Sequence, residues 1–551
     1  MVWLLILFVI QVAVLLAKVV WLPPQIWDEW VYHLPPAVEW YQRQFIPSTI
    51  ETSVSVINGA PLGMTVLAWW FFAFFRDDML VELPMLLWAL LLVPVSYAVM
   101  RQSGVDRPWA VKFAIVIFFI PAVLLQATTV KDHLGLNISF ITGLLLLALF
   151  LRSHASRHLL AAAFAFGLML GYKITAPLLV LVALLVFSCW IVLQQRSLFR
   201  ESASRLMLLR SCLLSLVVLV LIGGYWYLRN VLVFGRLHGA YETTQGEGGA
   251  LVEQSSGALQ SLAGRFSHFD FLTMNLQELL PRLFDYQFIY GADLVNVSGF
   301  GPQFVVFGLL ACVIAVAALF SARLRAQPVA LLTTTALLLF IAYLFVDYNP
   351  NSYRKLSFMP MVMISAAAVW LHHYGFLQSP GQKRVVNGLL LVCVIWSGIN
   401  MLPPQYTNPR TLKDFITADA QYRTTANYTK WFVVERPQFY RQLQNFSVHE
   451  PIVYLGSDRS NFPGESAPGT WAYLYYDRQW QRRAIYANQQ QMLECQGAVC
   501  VVRAGFKEML QRQHAYLVSS CKLNRCLEIR DPELFAVLPG LYYYLGKEPR
   551  P

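Results

Sequence analysis

MVWLLILFVIQVAVLLAKVVWL, residues 1–22, carries one charged side chain, Lys18. A helix of about 20 apolar residues covers the roughly 30 Å hydrocarbon core of a bilayer. Lipid offers no partner for an unpaired peptide group, so a run of this kind is helical. It lacks a basic n-region and an A-x-A site, so it is expected to stay as a first helix rather than be cleaved. Ten further apolar runs follow at about 79–100, 109–126, 134–151, 158–171, 176–193, 206–228, 302–320, 328–346, 356–374 and 385–402. The strand alternation of a membrane barrel is absent.

Composition agrees with this reading. Hydrophobic residues are 57% of the 551 and charged residues 13%, and the mean hydropathy is +0.49. A soluble surface needs roughly a quarter of its residues charged, which excludes an ordinary cytosolic globule. The net charge of +11 raises nucleic acid as a partner. Lys and Arg form no dense stripe or basic tail, so nucleic acid is excluded. They sit in the short gaps between apolar runs, where they orient the chain.

Residues 61–75, PLGMTVLAWWFFAFF, are short for a span and read as interfacial. Eleven crossings then leave Arg101, Arg107, Lys112, Arg152, Arg157, Arg196, Arg200, Arg205, Arg323, Arg325, Lys383 and Arg384 in short loops on one side, against Lys131, Lys173, Arg354 and Lys355 on the other. By the positive-inside bias the N-terminus is cytoplasmic and the C-terminus outside. If 61–75 does cross, the first helix points the other way. The expected fold is an α-helical polytopic membrane protein of about 11 transmembrane helices over 1–402, with long outer loops at 23–78 and 229–301. A soluble extracytoplasmic domain over 403–551 follows. Its strand-like stretches at 452–455, 484–487 and 499–504, with a helical stretch at 506–517, predict a small α/β domain. The tail holds Cys495, Cys500, Cys521 and Cys526 as two C-x4-C pairs. In an oxidising compartment these form two disulfides, in any of three connectivities; the other reading is a four-Cys zinc site.

The outer loops hold the unusual polar clusters. Trp27-Asp28-Glu29-Trp30-Val31-Tyr32-His33-Leu34-Pro35 follows the first run. Lys131-Asp132-His133, Tyr172-Lys173, Arg229-Asn230 and Tyr353-Arg354-Lys355 stand at later outer ends. Ionisable residues against hydrocarbon are costly and usually mark a site. Cations at a membrane surface suit a lipid phosphate, and carboxylates with aromatic rings suit a sugar. Together they point to sugar transfer from a membrane-embedded lipid phosphate. That transfer needs a base for the attacking group and positive charge for the departing phosphate. Simpler roles exist for the same residues. Asp28 and Asp132 are at positions where a carboxylate caps a helix, and Lys131 and Lys173 are at positions where a lysine snorkels to the interface. Arg229 and Arg354 are available to pair with tail carboxylates.

The opening Trp-Asp-x-x-x-Tyr-His-Leu-Pro resembles the GT-C membrane glycosyltransferases, in particular a bacterial group with D-x-x-x-Y-H-L-P. The pair Asp28-Glu29 is similar to the acidic pair of protein O-mannosyltransferases. Pro61-Leu62 before a short apolar run resembles the first outer loop of lipid A aminoarabinose transferases, and Gln126-Ala127-Thr128-Thr129 up to Asp132 resembles their second acidic loop. Gly171-Tyr172-Lys173-Ile174-Thr175-Ala176 and Trp226-Tyr227-Leu228-Arg229-Asn230 also match the bacterial group. The likeness covers about 1–235 in order, and Tyr353-Arg354 more loosely. It implies inverting transfer from a polyprenyl-phosphate sugar to a lipid, glycan or protein acceptor at the outer face of a bacterial inner membrane, with the tail in the periplasm. By the same resemblance Asp28 is the base. Asp132 orients the sugar or acceptor, or with Asp28 helps hold a divalent cation such as Mg or Mn. Lys131, Lys173, Arg229 and Arg354 grip the phosphate. Glu29, Tyr32, His33, His133 and Tyr353 complete the candidate set. Lys131 and His133 depart from the pattern, where relatives often carry uncharged residues.

Two other functions share these electrostatics: a transporter or flippase for lipid-linked glycans, and a ligase moving a whole glycan. Transporters place polar groups near the bilayer midplane in broken helices, often within inverted repeats. Clusters at helix ends on one side, without a repeat, favour transfer chemistry.

Overall fold

The structure, a computed structural model, describes residues 1–21, 24, 28–52, 54–76, 78, 80–194, 202–240, 300–320, 328–346 and 356–400, and in the tail 449, 451–456, 473, 476, 480–488, 493–496, 499–513, 516–520, 528–529 and 542–545. The chain forms two compact units. The first is Met1–Lys18, Ala60–Met64 and Glu82–Asn408; the second is Val19–Gly59, Thr65–Val81 and Pro409–Pro551.

All eleven apolar runs are helical. In chain order the helices are α1 (Val2–Trp21), α2 (Leu34–Arg43), α3 (Ser55–Gly59), α4 (Gly63–Phe75), α5 (Leu83–Gln102), α6 (Arg107–Phe118), α7 (Pro121–Gln126), α8 (His133–Ser153), α9 (Ser156–Tyr172), α10 (Ala176–Gln194), α11 (Ser202–Gly223), α12 (Tyr225–Phe234), α13 (Leu309–Phe320), α14 (Pro328–Val346), α15 (Phe358–His373), α16 (Pro380–Asn400) and, in the tail, α17 (Ala504–Gln513). Among the described residues five helical stretches are long and apolar enough to cross a membrane: Val2–Trp21, Leu83–Gln102, His133–Ser153, Leu206–Gly223 and Pro380–Ile399. The 13 residues of α4 extend about 20 Å at 1.5 Å per residue, less than the core they would have to cross.

Hydropathy does not show where a run breaks. The run at 109–126 is two helices, because Pro121 has no N–H for the carbonyl four residues back and holds Ile120 in an extended conformation. The run at 206–228 parts at Gly223-Gly224. A Cβ on Gly223 would stand 2.5 Å from Gly167 O, so the glycine permits the close approach of α11 to α9. The run at 302–320 opens with a π-helical turn at Phe304–Gly308.

In the first unit α8 is central and packs on α5, α9, α10, α14 and α15. Of its apolar window 83% is buried, against 11% of Leu206–Gly223. The polar residues His133, Asn137 and Ser139 of α8 therefore face protein, which makes them affordable in an apolar frame. Leu209, Leu213, Leu216 and Leu221 of α11 are exposed, a surface suited to lipid tails.

In the second unit a π-helical turn, Glu29–His33, leads into α2. Pro35 and Pro36 at the start of α2 remove the N–H groups that Val31 and Tyr32 would use in an α-helix, and Leu34 N–H bonds Glu29 O across the wider turn. The tail contributes strands β1 (Ile452–Gly456), β2 (Ala484–Asn488), β3 (Leu493–Gln496), β4 (Val499–Val502), β5 (Tyr516–Ser520), β6 (Glu528–Ile529) and β7 (Tyr542–Leu545). Four make a parallel sheet in the order β2-β1-β5-β7, with Ile452 opposite both Ala484 and Tyr516. The other three make a sheet in the order β3-β4-β6, in which Cys495 lies opposite Cys500 across an antiparallel pair. Cys521 and Cys526 lie outside the described residues, as does any pairing that involves them.

The segment after α1 and the tail are tied within this unit. Gln42 Nε2 donates to Trp480 O at 2.7 Å and to Arg482 O at 2.8 Å. The Phe72 and Trp480 rings lie 3.9 Å apart, and the Tyr473 hydroxyl donates to Asp78 Oδ2 at 2.9 Å. Burial, and then the Glu39 carboxylate, push the Tyr476 hydroxyl well above its ordinary pKa.

Candidate active site

In the first unit the polar centre is the turn between α7 and α8. Asp132 stands at the N-cap position of α8, yet its side chain makes no cap hydrogen bond. Its Oδ1 instead accepts from Lys173 Nζ at 2.8 Å. Lys173 Nζ also lies 3.1 Å from His133 Nδ1. The same Nζ stands 3.5 Å from His133 Nε2, and an ammonium can only donate to whichever ring nitrogen accepts. Asp132, His133 and Lys173 therefore come together as one partly buried cluster, with Asp132 and His133 at 8% and 1% exposure. The capping and snorkelling roles do not describe Asp132 and Lys173: each spends its charge on the other.

The supports of this cluster come from elsewhere in the same unit. Asn137, one turn into α8, donates to His133 O at 2.6 Å and accepts Phe358 N–H at 2.9 Å. The Tyr227 hydroxyl lies 3.2 Å from both Leu170 O and Lys173 O, tying α12 to the Lys173 turn. Lys18 Nζ donates to Thr128 O at 3.0 Å and to Thr128 Oγ1. The turn also bonds itself, Thr129 Oγ1 donating to Gln126 O and accepting Lys131 N–H. A Cβ on Gly63 would stand 2.6 Å from Gly171 O, and one on Gly135 would stand 3.0 Å from the Tyr172 ring. Both glycines let the backbone close around the turn that carries Lys173.

Arg229 is buried on α12. Its Nε donates to Asn230 Oδ1 at 3.0 Å, its Nη2 donates to the same oxygen, and its guanidinium lies 5.1 Å from the Trp226 ring centre. Asn230 Nδ2 donates to Leu237 O. Lys131 is buried beside Asp132 in the chain. Tyr353 and Arg354 lie outside the described residues.

In the second unit Asp28 opens the π-helical turn at 6% exposure and likewise makes no side-chain cap bond. Glu29 and His33 are buried. His33 Nδ1 is 3.1 Å from Thr65 Oγ1, and its ring lies 4.5 Å from that of Tyr32. Trp30 Nε1 donates to Pro24 O. Two buried carboxylates on a widened turn are costly to hold and are often functional.

Sequence reasoning missed Lys18, Thr65 and Asn137. Lys18 had a signal, as the one charge in an apolar run of 22. Thr65 had none, since its partner is 32 residues away. Gln126 is fully buried, and neither atom of its carboxamide is hydrogen-bonded among the described residues.

The residues present do not suit a divalent cation. Among the described residues no group of three or more His, Cys, Asp or Glu gathers to hold a metal. Asp132 Oδ1 already faces the Lys173 ammonium, and a dication beside it would meet that positive charge. The cluster fits an anion better than a metal.

No protein-family model matches the sequence, and no curated protein matches it. Solved structures do. ArnT of Cupriavidus metallidurans bound to undecaprenyl phosphate matches with a TM-score of 0.53 and 14% identity, over 96% of this chain and 90% of that one. The apo form of the same protein matches with a TM-score of 0.50 and 12% identity, over 97% of this chain and 94% of that one. At these identities the likeness is one of fold. The chain has the GT-C-like membrane fold that the resemblance implied.

Proposed function

We propose that the chain is a membrane glycosyltransferase that moves a sugar from a polyprenyl-phosphate donor to an acceptor outside the cytoplasm, inverting the anomeric carbon. The observation that carries this reading is the Asp132–Lys173–His133 cluster: an ammonium held by a carboxylate at the end of a central, buried helix. A fixed cation at such a place suits the charge that develops on a departing lipid phosphate. The shared fold supports it, since ArnT was solved with undecaprenyl phosphate, a polyprenyl phosphate.

The step is a direct displacement. Asp28 takes the proton of the acceptor's hydroxyl or amine as that atom attacks C1 of the sugar. The bond from C1 to the phosphate oxygen breaks, and the lipid phosphate leaves with the electron pair. Lys173 and Arg229 meet its charge, and Asp132 is a positioning residue that holds Lys173 in place. Lys131, Arg354, Tyr353, Glu29, Tyr32, His33 and His133 contact donor or acceptor. No step is assigned to a metal. In this reading about 11 helices cross a bacterial inner membrane, the N-terminus is cytoplasmic and the tail is periplasmic. The acceptor is a lipid, a glycan or a protein.

The test is transfer from a labelled polyprenyl-phosphate sugar by the purified full chain in vesicles, with a membrane extract as acceptor source. Wild type transfers label, and Asp28→Asn and Lys173→Gln lose it by about 100-fold or more. Full transfer by Asp28→Asn removes the base assignment. Donor carried across the vesicle without transfer would establish a flippase instead.

A further inference from the structure

The opposite end of α8 carries a second polar feature, independent of the reading above. A cavity of about 600 Å³ lies where α5, α8 and α15 end. Its walls include Arg101, Arg152, His372, His373, Trp370 and Gln378. Twenty-one residues of α8 put it about 30 Å from the Asp132 end.

The two arginines are held but not neutralised. Arg101 Nη1 donates to Val105 O at 2.7 Å, and Arg152 Nη1 donates to Gln102 O at 2.6 Å. Each guanidinium has five donors, and one backbone bond sets its orientation. Among the described residues neither pairs with a carboxylate. Asp106 Oδ2 lies 3.8 Å from His372 Nδ1. Cations in the last turn of a helix also offset its dipole, and that alone would account for one arginine per helix end. It does not account for the open space. A Cβ on Gly104, in the turn that follows α5, would meet nothing within 4 Å. The cavity thus combines two oriented guanidiniums, two imidazoles and room.

We propose that this cavity binds a phosphate-bearing anion, the headgroup of an anionic membrane lipid. Forked guanidiniums match phosphate oxygens, and basic pockets between membrane helices recognise lipid headgroups. The setting favours a lipid over soluble phosphate: Arg101 and Arg152 are exposed at the ends of α5 and α8, which are membrane-crossing in length, and Tyr374 and Phe376, just past α15, are exposed aromatic residues of the kind that sit at the interface.

The test uses the full chain in neutral detergent, with bound lipid read by native mass spectrometry. Dioleoylphosphatidylglycerol, dioleoylphosphatidylcholine and inorganic phosphate are the probes. Wild type retains the anionic lipid at least tenfold more tightly than the zwitterionic one. The double variant Arg101→Gln/Arg152→Gln loses that preference, and Arg101→Lys/Arg152→Lys keeps most of it. Lys173→Gln, at the other end of α8, leaves it unchanged. Displacement of the lipid by millimolar phosphate, or saturable binding of phosphate alone, supports the anion site and in the second case assigns it to a soluble ligand. Equal binding of both lipids, or undiminished binding by a folded glutamine variant, overturns the proposal.

Discussion

Lys173 Nζ lies 2.8 Å from Asp132 Oδ1, forty-one residues away in the chain. This pair turns an acidic helix start and a basic loop into one electrostatic unit. It holds the ammonium at the end of α8.

The pair is expected to act as a unit. Lys173→Gln and Asp132→Asn should each reduce transfer by about 100-fold, and the double variant should cost little more than either alone. A double-mutant cycle on transfer rates should show coupling of about 1–3 kcal/mol. Additive losses would mean that the two residues act separately.

Asp28 distinguishes chemistry from capping. An N-cap carboxylate that bonds its helix contributes about 1 kcal/mol, but Asp28 makes no such bond. Asp28→Asn should lose transfer by about 100-fold in protein that still shows a cooperative thermal transition. A stability loss with transfer intact would return Asp28 to a structural role.

Gly63→Ala should act at a distance from any charge. Its Cβ would stand 2.6 Å from Gly171 O, and backbone cannot yield as a side-chain tip can. Overpacking of this kind costs about 1–3 kcal/mol. Thermal unfolding should show that loss, and transfer should fall because the Lys173 turn shifts. Unchanged Tm and rate would show that the contact relaxes freely.

Chelation offers a fourth check. With Asp132 committed to Lys173, treatment with EDTA should leave transfer within about twofold, well short of the hundredfold cost of losing a charge-stabilising group. Loss on chelation and recovery with Mg or Mn would return the acidic residues to metal binding.

Thiol titration tests the tail. Antiparallel strand partners have Cα atoms about 4.5–5.5 Å apart, a separation a disulfide spans, and Cys495 and Cys500 are such partners. Alkylation of the unfolded, unreduced chain should label Cys189, Cys212, Cys312 and Cys393 and spare the four tail cysteines. Labelling of the tail cysteines before reduction would exclude the disulfides.

Much of the frame was legible beforehand. Each of the eleven apolar runs is helix, and the tail stretches at 452–455 and 484–487 became β1 and β2. Of 499–504 only Val499–Val502 is strand, as β4; of the expected helix at 506–517 only the part to Gln513 is helix, in an α17 that begins at Ala504, and Tyr516 already opens β5. Strands β3, β5, β6 and β7 were not anticipated, because short amphipathic segments announce themselves only through the neighbours they pair with. The breaks at Pro121 and Gly223-Gly224 were hidden inside continuous hydrophobicity. Of the candidate residues, Asp28 in one unit and Asp132 and Lys173 in the other were named for their chemistry, but Thr65, Asn137 and the contact of Tyr227 with the Lys173 backbone were out of reach.

The amino-acid order by itself determined a helical membrane frame, since a peptide group in hydrocarbon must find its partner within its own helix and a run of some twenty apolar side chains leaves no other state. What each carboxylate does was decided only by tertiary structure. A carboxylate that begins a helix is equally able to cap that helix or to leave it for a cation, and the choice depends on where another segment delivers that cation. For Asp132 the fold brings Lys173 to 2.8 Å, and the charge goes there.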